Sequence, residues 1–339
     1  MLRLATASEE MNLKSTVVGP YPRVGSGCGD ALRKELNKVY EGTGDAQLVQ
    51  SLRKDLTREI IQEMVVAGID LPNYGLVDVH DELTWPLEHV DGVQFGGMKK
   101  IFHTNTHYRE AIVTNRISRK RRLLSDLYET AKEVHPTIKA EFPGPYTMAK
   151  HSLLGRGSPY RSLRELAEAY ASLYREELAE LKGTPLVQFN EPSVVSPRIT
   201  SEDLEMLSGL YSRMLQGLTI PVAVWTYYGK YSSKLLEVLF SLPVDVVGLD
   251  FVWDPQIAAL LAKKPYDKGI GIGLIDSGDQ GHIQMEDLKK VEGILSMLKS
   301  HISLEKSFLS SNASLEHLPR DHARRKLALI GEGARRMNR

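Results

Sequence analysis

The sequence predicts an α/β protein folded as a single (β/α)8 TIM barrel, and three observations support that fold class. The chain has 339 residues, 42% of them hydrophobic, which is enough to bury one large core. Short apolar runs bounded by turn residues alternate with longer segments of helical periodicity. The sequence contains eight such runs, and eight strand–helix units in a chain of this length are typical of the barrel.

The predicted strands are short, apolar and rich in β-branched residues. They cover 15–19, 69–72, 138–142, 186–190, 222–227, 244–251, 270–275 and 307–310. Because parallel strands in a barrel are covered by helices, continuous apolar runs of this kind are expected.

The predicted helices lie at 45–67, 163–181, 201–215, 232–239, 285–298 and 320–337. The first repeats an apolar residue at every fourth position, which predicts one face packed on the sheet, through Leu48, Leu52, Leu56, Ile60 and Met64. Ser201, followed by Asp203 and Glu205, is predicted to cap the third helix. Residues 1–13 are expected to form a disordered or irregular extension, and 14–339 the barrel.

The charge balance argues against a nucleic-acid partner. Lys+Arg and Asp+Glu both number 43, so the chain has no basic surplus with which to bind phosphates. The one basic run, RISRKRR at 116–122, is predicted to be the solvated start of a helix. A single cysteine, Cys28, excludes an intrachain disulfide and fits a reducing compartment. No apolar stretch reaches 18 residues, so we expect a cytoplasmic protein without a membrane partner.

Polar residues follow most of the predicted strands. Since the carboxyl ends of barrel strands share one rim, these side chains are expected to converge on a site there. The residues are Asp78, His80, Asp81, Glu82, Glu141, Asn190, Glu191, Tyr227, Tyr228, Asp250, Asp276 and Asn312.

Several segments together resemble one enzyme family. They are GPYPR (19–23), GMKKIFHTNTHY (97–108), FPGPY (142–146), VQFNEP (187–192), WTYYG (225–229), GLDFV (248–252) and SNASLEHLP (311–319). In this order they resemble cobalamin-independent methionine synthase, which has an amino-terminal barrel and a similar carboxy-terminal barrel that bears zinc. The resemblance extends over nearly the whole chain from about residue 14. The KIFHTNTHY, TYYG and GLDFV segments resemble the amino-terminal barrel.

The resemblance implies that the zinc ligands are lost. The catalytic barrel holds zinc through a His-x-Cys pair, a Glu and a later Cys, which fall here on Trp225, Tyr227, Asp250 and Ala313. Only one of these side chains is a strong ligand, so zinc is not expected and no cofactor should be tightly bound. A displaced metal site that draws on His80, His103 or His107 is the weaker alternative.

The amino-acid side of the family's site is also altered. Where the catalytic family has an Asp-Glu-Pro turn, this chain has Asn190 before Glu191, so a charge that would pair with a substrate ammonium is replaced by a neutral amide. The first predicted strand ends in Gly19 and Pro20, where the catalytic barrel has a serine that helps seat the amino acid.

The resemblance also implies a site for the polyglutamate tail of folate. In the amino-terminal barrel, a lysine and a short basic segment contact that tail. The matching residues are Lys100, and Arg33 with Lys34 in ALRKEL. Carboxylates need several Lys or Arg donors, because each exposed pair contributes only about 0.2 to 1 kcal/mol. Asn190, Asp78 and Asp81 are further candidates for contact with substrate or folate.

Two functions are left open. In the first, the chain binds the folate tail and acts with a separate zinc-bearing catalytic barrel in methyl transfer to homocysteine. In the second, it is a self-sufficient, zinc-independent methyltransferase that moves a methyl group from a folate or corrinoid donor to another acceptor, with Glu191, Asp250 and Tyr227 as catalytic acid–base groups. In either case a methyl-tetrahydrofolate-type donor is a possible ligand. We favour the first, because nothing in the sequence clearly supplies an activated acceptor.

Overall fold

A computed structural model describes residues 12–102, 104, 106–278 and 284–339. Within these residues the chain forms two sheets and ten α-helices. The strands are β1 (Lys14–Ser15), β2 (Val90–Lys100), β3 (His107–Arg119), β4 (Ala140–Pro143), β5 (Ser152–Leu154), β6 (Val187–Asn190), β7 (Val222–Trp225), β8 (Val246–Asp250), β9 (Gly269–Ile275) and β10 (Phe308–Ser311). The helices are α1 (Gly27–Tyr40), α2 (Ala46–Val66), α3 (Asp126–Val134), α4 (Pro145–Lys150), α5 (Leu163–Glu180), α6 (Ser201–Leu215), α7 (Ser233–Ser241), α8 (Ile257–Leu261), α9 (Leu288–Leu298) and α10 (Arg320–Met337).

The larger sheet is parallel and contains seven of the eight predicted strands. Its order is β1-β10-β9-β8-β7-β6-β4, so strands that follow one another along the chain lie side by side. Strands β6 to β9 are buried over their whole length, as expected where helices cover a parallel sheet. The α/β class with a parallel sheet is therefore confirmed.

The remaining predicted strand, 69–72, is reduced to a single bridge. Leu71 pairs with Thr16 beyond β1, and the Lys139 amide before β4 donates to the Pro72 carbonyl at 3.0 Å. Because the segment contacts both edges of the sheet, the sheet is curled. Pro72 has no amide hydrogen to extend the ladder, and the Asn73 side chain accepts from the Gly75 amide and turns the chain. A complete eight-stranded barrel is thus not established by regular strand pairing.

A second sheet, absent from the sequence prediction, lies beside the first. It has the order β2-β3-β5, with β2 and β3 forming a long antiparallel hairpin. The basic run at 116–122 begins in β3, so its interpretation as a helix start was wrong. Arg119 ends the strand and pairs with Glu177, at 2.9 Å, and with Glu180 on α5. The next helix, α3, begins only at Asp126, after its cap Ser125.

The six predicted helices are present with bounds that agree to within three residues. The cap of α6 is Thr200 and not Ser201, because the Thr200 hydroxyl accepts from the Asp203 amide at 3.1 Å and Asp203 accepts from the Thr200 amide. On α2 the packing prediction holds only for the later turns. Leu56, Ile60 and Met64 are buried, Leu52 is partly buried, and Leu48 is exposed.

The described chain begins beside its own carboxyl terminus. The Leu13 amide donates to the Asn338 side chain at 2.8 Å, and Asn338 donates back to the Leu13 carbonyl at 2.9 Å. Residues 1–11 lie outside the described residues, so the division into 1–13 and 14–339 stays a prediction. No helix in the described part of the chain is long and apolar enough to cross a bilayer.

Candidate functional site

Trp225, at the carboxyl end of β7, fills the interior of the curled sheet. Its side chain is fully buried and lies across the next two strands of the sheet, β8 and β9. A Cβ atom placed on Gly248 of β8 or on Gly271 of β9 would lie 2.1 Å from the indole ring. The glycines on these two strands therefore make room for the indole.

Aromatic side chains continue this packing toward the rim. Tyr227 is 2% exposed, and its ring lies edge-on to Tyr228 at 4.7 Å between centroids. Tyr228 in turn contacts Phe102 of the hairpin turn and Trp253, with centroids 5.8 and 6.0 Å away. Ala313, after β10, belongs to the same buried cluster. Aromatic side chains therefore cover the carboxyl ends of the strands in this part of the sheet.

Asp250 organises the loop that follows β8. Its Oδ1 accepts from the amides of Val252 and Trp253, at 3.0 and 2.9 Å. Its Oδ2 accepts from the Tyr228 amide at 3.0 Å and from the Asn312 side chain at 3.2 Å. Burial raises the pKa of Asp250 to about 6, although these hydrogen bonds act in the opposite direction. Both oxygens are engaged with the protein itself.

This arrangement does not fit a zinc ion of the family's kind. Trp225 and Ala313 offer no ligand atom, and both oxygens of Asp250 already accept hydrogen bonds. A tetrahedral zinc site needs three or four N, S or O ligands. Tyr227 alone cannot supply them.

Another group of possible ligands lies elsewhere. Among the described residues, Glu82, Glu316 and His317 can place one ligand atom each within 4.8 Å of one another. Glu316 already pairs with Arg23, and His317 Nε2 lies 2.8 Å from the Thr106 hydroxyl. His80 and His107 do not belong to this group, and His103 lies outside the described residues.

Glu191 is fully buried beneath the first turn of α4. It accepts hydrogen bonds from the amides of Tyr146 and Thr147, at 3.0 and 2.7 Å, and from the Tyr211 hydroxyl at 3.2 Å. Burial raises the pKa of Glu191 to about 7, with the hydrogen bonds opposing the rise. The pKa of Glu191 is therefore close to neutral pH. Its hydrogen bonds are structural, because they join the end of β6 to α4 and α6.

Asn190 belongs to a polar network inside the sheet. Its amide nitrogen donates to Glu141 at 2.7 Å, and its oxygen accepts from Gln188 at 2.8 Å. Glu141 also accepts from the Gly19 amide at 2.5 Å, and lies 3.6 Å from the Lys139 ammonium. Lys139 is itself bonded to Gln188, and burial lowers its pKa to about 8. Asn190, for which the resemblance implies the position of the family's amino-acid anchor, is thus engaged in internal hydrogen bonds.

The acidic residues after segment 69–72 differ in their contacts. Asp81 accepts from the amides of Leu83 and Thr84 and from the Thr84 hydroxyl, so it shapes its own turn. Asp78 instead lines a cavity of about 220 Å³, and its Oδ1 is buried without a hydrogen-bond partner. Their roles in binding substrate or folate stay predictions.

The three basic candidates lie on two elements and all are exposed. Arg33 and Lys34 are on α1, and Lys100 ends β2. Arg33 lines the same cavity as Asp78, whereas Lys34 and Lys100 do not. Lys99 lies 3.7 Å from Glu110 across the hairpin. Of the binding candidates from the sequence, the structure thus places Arg33 and Asp78 in the lining of one cavity.

One further candidate residue lies at the rim. His151, which follows α4, packs its ring against Phe102 and Tyr108, with centroids 5.3 and 5.2 Å away. Its Nε2 lies 3.2 Å from the Ser193 hydroxyl, and burial lowers its pKa to about 4. The Gly-Pro turn after the predicted strand at 138–142 begins this short helix and places His151 near the carboxyl end of β4.

The sequence profile of the N-terminal domain of cobalamin-independent synthase matches residues 91–303, which is more than half of the chain. The chain belongs to this family. The resemblance to cobalamin-independent methionine synthase is confirmed, and so is its assignment to the amino-terminal barrel. Because this family belongs to methionine biosynthesis, the chain is related to methyltransferases.

Similar proteins span nearly the whole chain. Two are named methionine synthase: one from Sulfurisphaera tokodaii, 26% identical over 95% of this chain and 92% of its own length, and one from Sulfolobus acidocaldarius, 26% identical over 95% and 91%. The solved structure of a B12-independent methionine synthase from Shewanella sp. W3-18-1, in complex with selenomethionine, matches with a TM-score of 0.76 at 20% identity, covering 96% of this chain and 97% of that one. This structural match supports the α/β fold described above for the chain.

Proposed function

We propose that the chain acts in methionine biosynthesis as a folate-binding half that works with a separate zinc-bearing catalytic barrel in methyl transfer to homocysteine. The observation that carries this proposal is the packing of Trp225 against Gly248 and Gly271, at a position where the resemblance implies one of the family's metal ligands. A thiol becomes a strong nucleophile only as its thiolate, and a bound zinc provides that activation. The partner must therefore supply it.

The folate tail would bind to exposed basic residues near the rim. Arg33, Lys34 and Lys100 are exposed, and none of them has an acidic partner within 4.0 Å among the described residues. Unpaired cations on rigid elements are suited to a chain of carboxylates. The tail requires several such contacts because each is weak in water.

We also infer that segment 69–72 completes a (β/α)8 barrel. The Thr16–Leu71 bridge on one side and the bond from Lys139 to Pro72 on the other support this closure. Closure matters for function because it brings the ends of the first and last strands to one rim.

The length of the relatives favours a second candidate function. Chains of about this size carry the name methionine synthase, which supports a self-sufficient enzyme with a folate or corrinoid donor. In that case Glu191 and Asp250, whose pKa values are raised to about 7 and about 6, would serve as acid–base groups with Tyr227 beside them. Their hydrogen bonds to backbone amides argue for the first proposal.

Metal analysis and a methyl-transfer assay separate the two candidates. For the folate-binding half, the purified chain should hold well under one zinc, and transfer to homocysteine should arise only when a zinc-bearing catalytic barrel is added. Transfer from methyl-tetrahydrofolate or methylcorrinoid by the lone chain would reject that proposal. A tightly held zinc in equimolar amount would also reject it.

A charge reversal tests the tail site. Lys100→Glu should weaken the binding of a triglutamate folate at least tenfold more than that of a monoglutamate folate, because only the longer ligand reaches the lysine. The matched control is Lys182→Glu, an exposed lysine after α5, which should change neither affinity. Equal weakening of both ligands by Lys100→Glu would show that Lys100 does not contact the tail.

A further inference from the structure

Three aromatic side chains form a patch at the carboxyl rim of the curled sheet. They are Phe102 in the turn of the hairpin, Tyr228 after β7 and Trp253 after β8, and we call them the aromatic patch. Phe102 and Trp253 each contact Tyr228, with centroids 5.8 and 6.0 Å away and ring planes inclined by 49° and 65°. Tyr228 is 8% exposed, whereas the other two rings are partly exposed. Phe102 and Trp253 therefore flank Tyr228 and present ring surface that solvent can reach.

Two residues of the patch have a strained backbone. Phe102 has a φ of +44° and Tyr228 a φ of +70°, in the left-handed region that residues with bulky side chains rarely adopt. Strained residues of this kind cluster at binding and active sites, where the surrounding structure holds them against their own preference. The two rings are thus held at the rim at a conformational cost, which indicates a role beyond packing.

Two buried carboxylates lie beneath the loops that hold the patch. Asp250 accepts from the Tyr228 amide at 3.0 Å and from the Trp253 amide at 2.9 Å. Asp254, next to Trp253, accepts from the Tyr231 amide at 2.9 Å. Among the described residues, neither carboxylate has a Lys, Arg or His side chain within 4.0 Å. Because buried charges are screened much less than exposed ones, they give this part of the rim a negative potential.

The part of the chain that the structure describes places no cation on the patch. No Lys or Arg of these residues lies over any of its rings. Lys100 and Lys230, the basic residues nearest to it in the sequence, are exposed, so water and salt screen their charge. His151, whose ring contacts Phe102, has a pKa lowered to about 4 by burial and is neutral at pH 7. The patch therefore joins electron-rich ring faces to a negative potential.

We propose that the aromatic patch binds a methylated onium cation, such as the trimethylammonium or dimethylsulfonium group of a small metabolite. The face of an aromatic ring attracts a cation, and recognition of quaternary ammonium groups by several rings is the established use of this attraction. A primary ammonium is strongly hydrated and loses more when it leaves water. The proposal goes beyond the folate-binding function, because the folate tail is a chain of carboxylates and is bound by basic residues.

A ligand-observed NMR titration of the full chain tests the ligand class, since it measures weak binding through the methyl protons of the ligand. Choline is the probe. Its matched controls are 3,3-dimethylbutan-1-ol, which has the same shape without the charge, and ethanolamine, which keeps the charge without the methyl groups. We expect choline to bind at least tenfold more tightly than either control. Equal binding of either control overturns the proposal, and so does the failure of both choline and trimethylsulfonium to bind at millimolar concentration.

Ring-removing variants test the place of binding. Trp253→Leu and Phe102→Leu should each weaken choline binding at least fivefold, and Trp253→Phe, which keeps a ring, should weaken it less than Trp253→Leu. The control is Tyr40→Leu on α1, which removes a ring that is 77% exposed and should leave the affinity unchanged. Unchanged choline affinity in Phe102→Leu and in both Trp253 variants would end the proposal.

Thermal melting establishes that each variant is folded. If Trp253→Leu does not fold, Phe102→Leu and Trp253→Phe decide the test. Triglutamate folate binding should be unchanged in Trp253→Phe and weakened in Lys100→Glu, while choline binding should be unchanged in Lys100→Glu. Failure of the onium site is thus distinguishable from failure of the folate tail site.

Discussion

The interior of the curled sheet and the cavity between α1 and α2 both bury charge, but only the interior pairs it. Inside the sheet, Lys139 and Glu141 lie 3.6 Å apart and both bond to further groups. In the cavity, Arg53 Nε and Asp78 Oδ1 have no partner. The difference teaches that a buried charge with a complete set of bonds holds the fold together, whereas an unpartnered atom makes no bond that the fold depends on.

The strongest test of this comparison removes the interior cation. Lys139→Met should lower the free energy of unfolding by about 3 to 5 kcal/mol, because it leaves the Glu141 carboxylate buried without its counter-charge. Urea denaturation at pH 7 measures the loss.

The double variant Lys139→Met with Glu141→Gln is the control. It removes both charges and should recover part of the stability, since the remaining groups are neutral. A loss below about 1 kcal/mol in the single variant would mean that the interior charges are not coupled.

The glycines beneath Trp225 provide the next largest effect. Gly271→Ala would place a Cβ 2.1 Å from the indole, and overpacking of this kind costs about 1 to 3 kcal/mol. The matched control is Gly209→Ala in α6, where a Cβ meets nothing within 4 Å and a small gain of up to about 1 kcal/mol is expected. If both variants melt at the wild-type temperature, the indole does not fill the interior as described.

The main sheet could be predicted from the sequence because its strands are continuous apolar runs. Val222–Trp225 and Gly269–Ile275 are buried throughout, and strands of this kind can be recognised from the sequence without knowing which strands lie beside them. The hairpin was missed because β2 and β3 are mostly polar and contain Gly92, Gly96 and Gly97, so their pairing depends on each other and not on a local pattern.

The site was predicted less well than the fold, for a physical reason. The burial of Trp225 depends on glycines of two other strands, and the unpaired state of Asp78 depends on two helices that precede it in the chain. The interior network did have a sequence signal. Lys139 with Glu141, and Gln188 with Asn190, are each spaced by two, which puts each pair on one face of a strand.

The pH dependence of stability tests whether Glu191 is a buried structural group, as its hydrogen bonds indicate. Its pKa is raised from an ordinary value of 4.5 to about 7 in the folded protein. The folded state therefore binds the proton more tightly, and the stability contribution is complete below about pH 4.5 and is lost as the pH rises through 7. Glu191→Gln removes this loss, so the difference between the two proteins should change by about 1 kcal/mol per pH unit in that window.

Denaturation curves measured from pH 4.5 to 7.5 on both proteins provide the comparison. Asp250 and His151 also titrate with shifted pKa values, to about 6 and about 4, but both are present in each protein and cancel in the difference. Parallel stability profiles would show that Glu191 titrates normally and is not buried as described.

The smallest expected effect comes from the cavity, where Asp78→Asn should change the stability of the ligand-free protein by less than about 0.5 kcal/mol. The Oδ1 atom makes no hydrogen bond that could be lost. Asp81→Asn, three residues later, is the matched contrast. Asparagine keeps the Oδ1 acceptor but replaces Oδ2, which accepts from the Thr84 hydroxyl at 2.7 Å and lies 3.8 Å from the Arg109 guanidinium, so the substitution should cost about 1 to 3 kcal/mol. Urea denaturation of both variants decides between the two kinds of buried charge. If Asp78→Asn were as costly as Asp81→Asn, Asp78 would be a structural group, and the contrast between the sheet interior and the cavity would no longer hold.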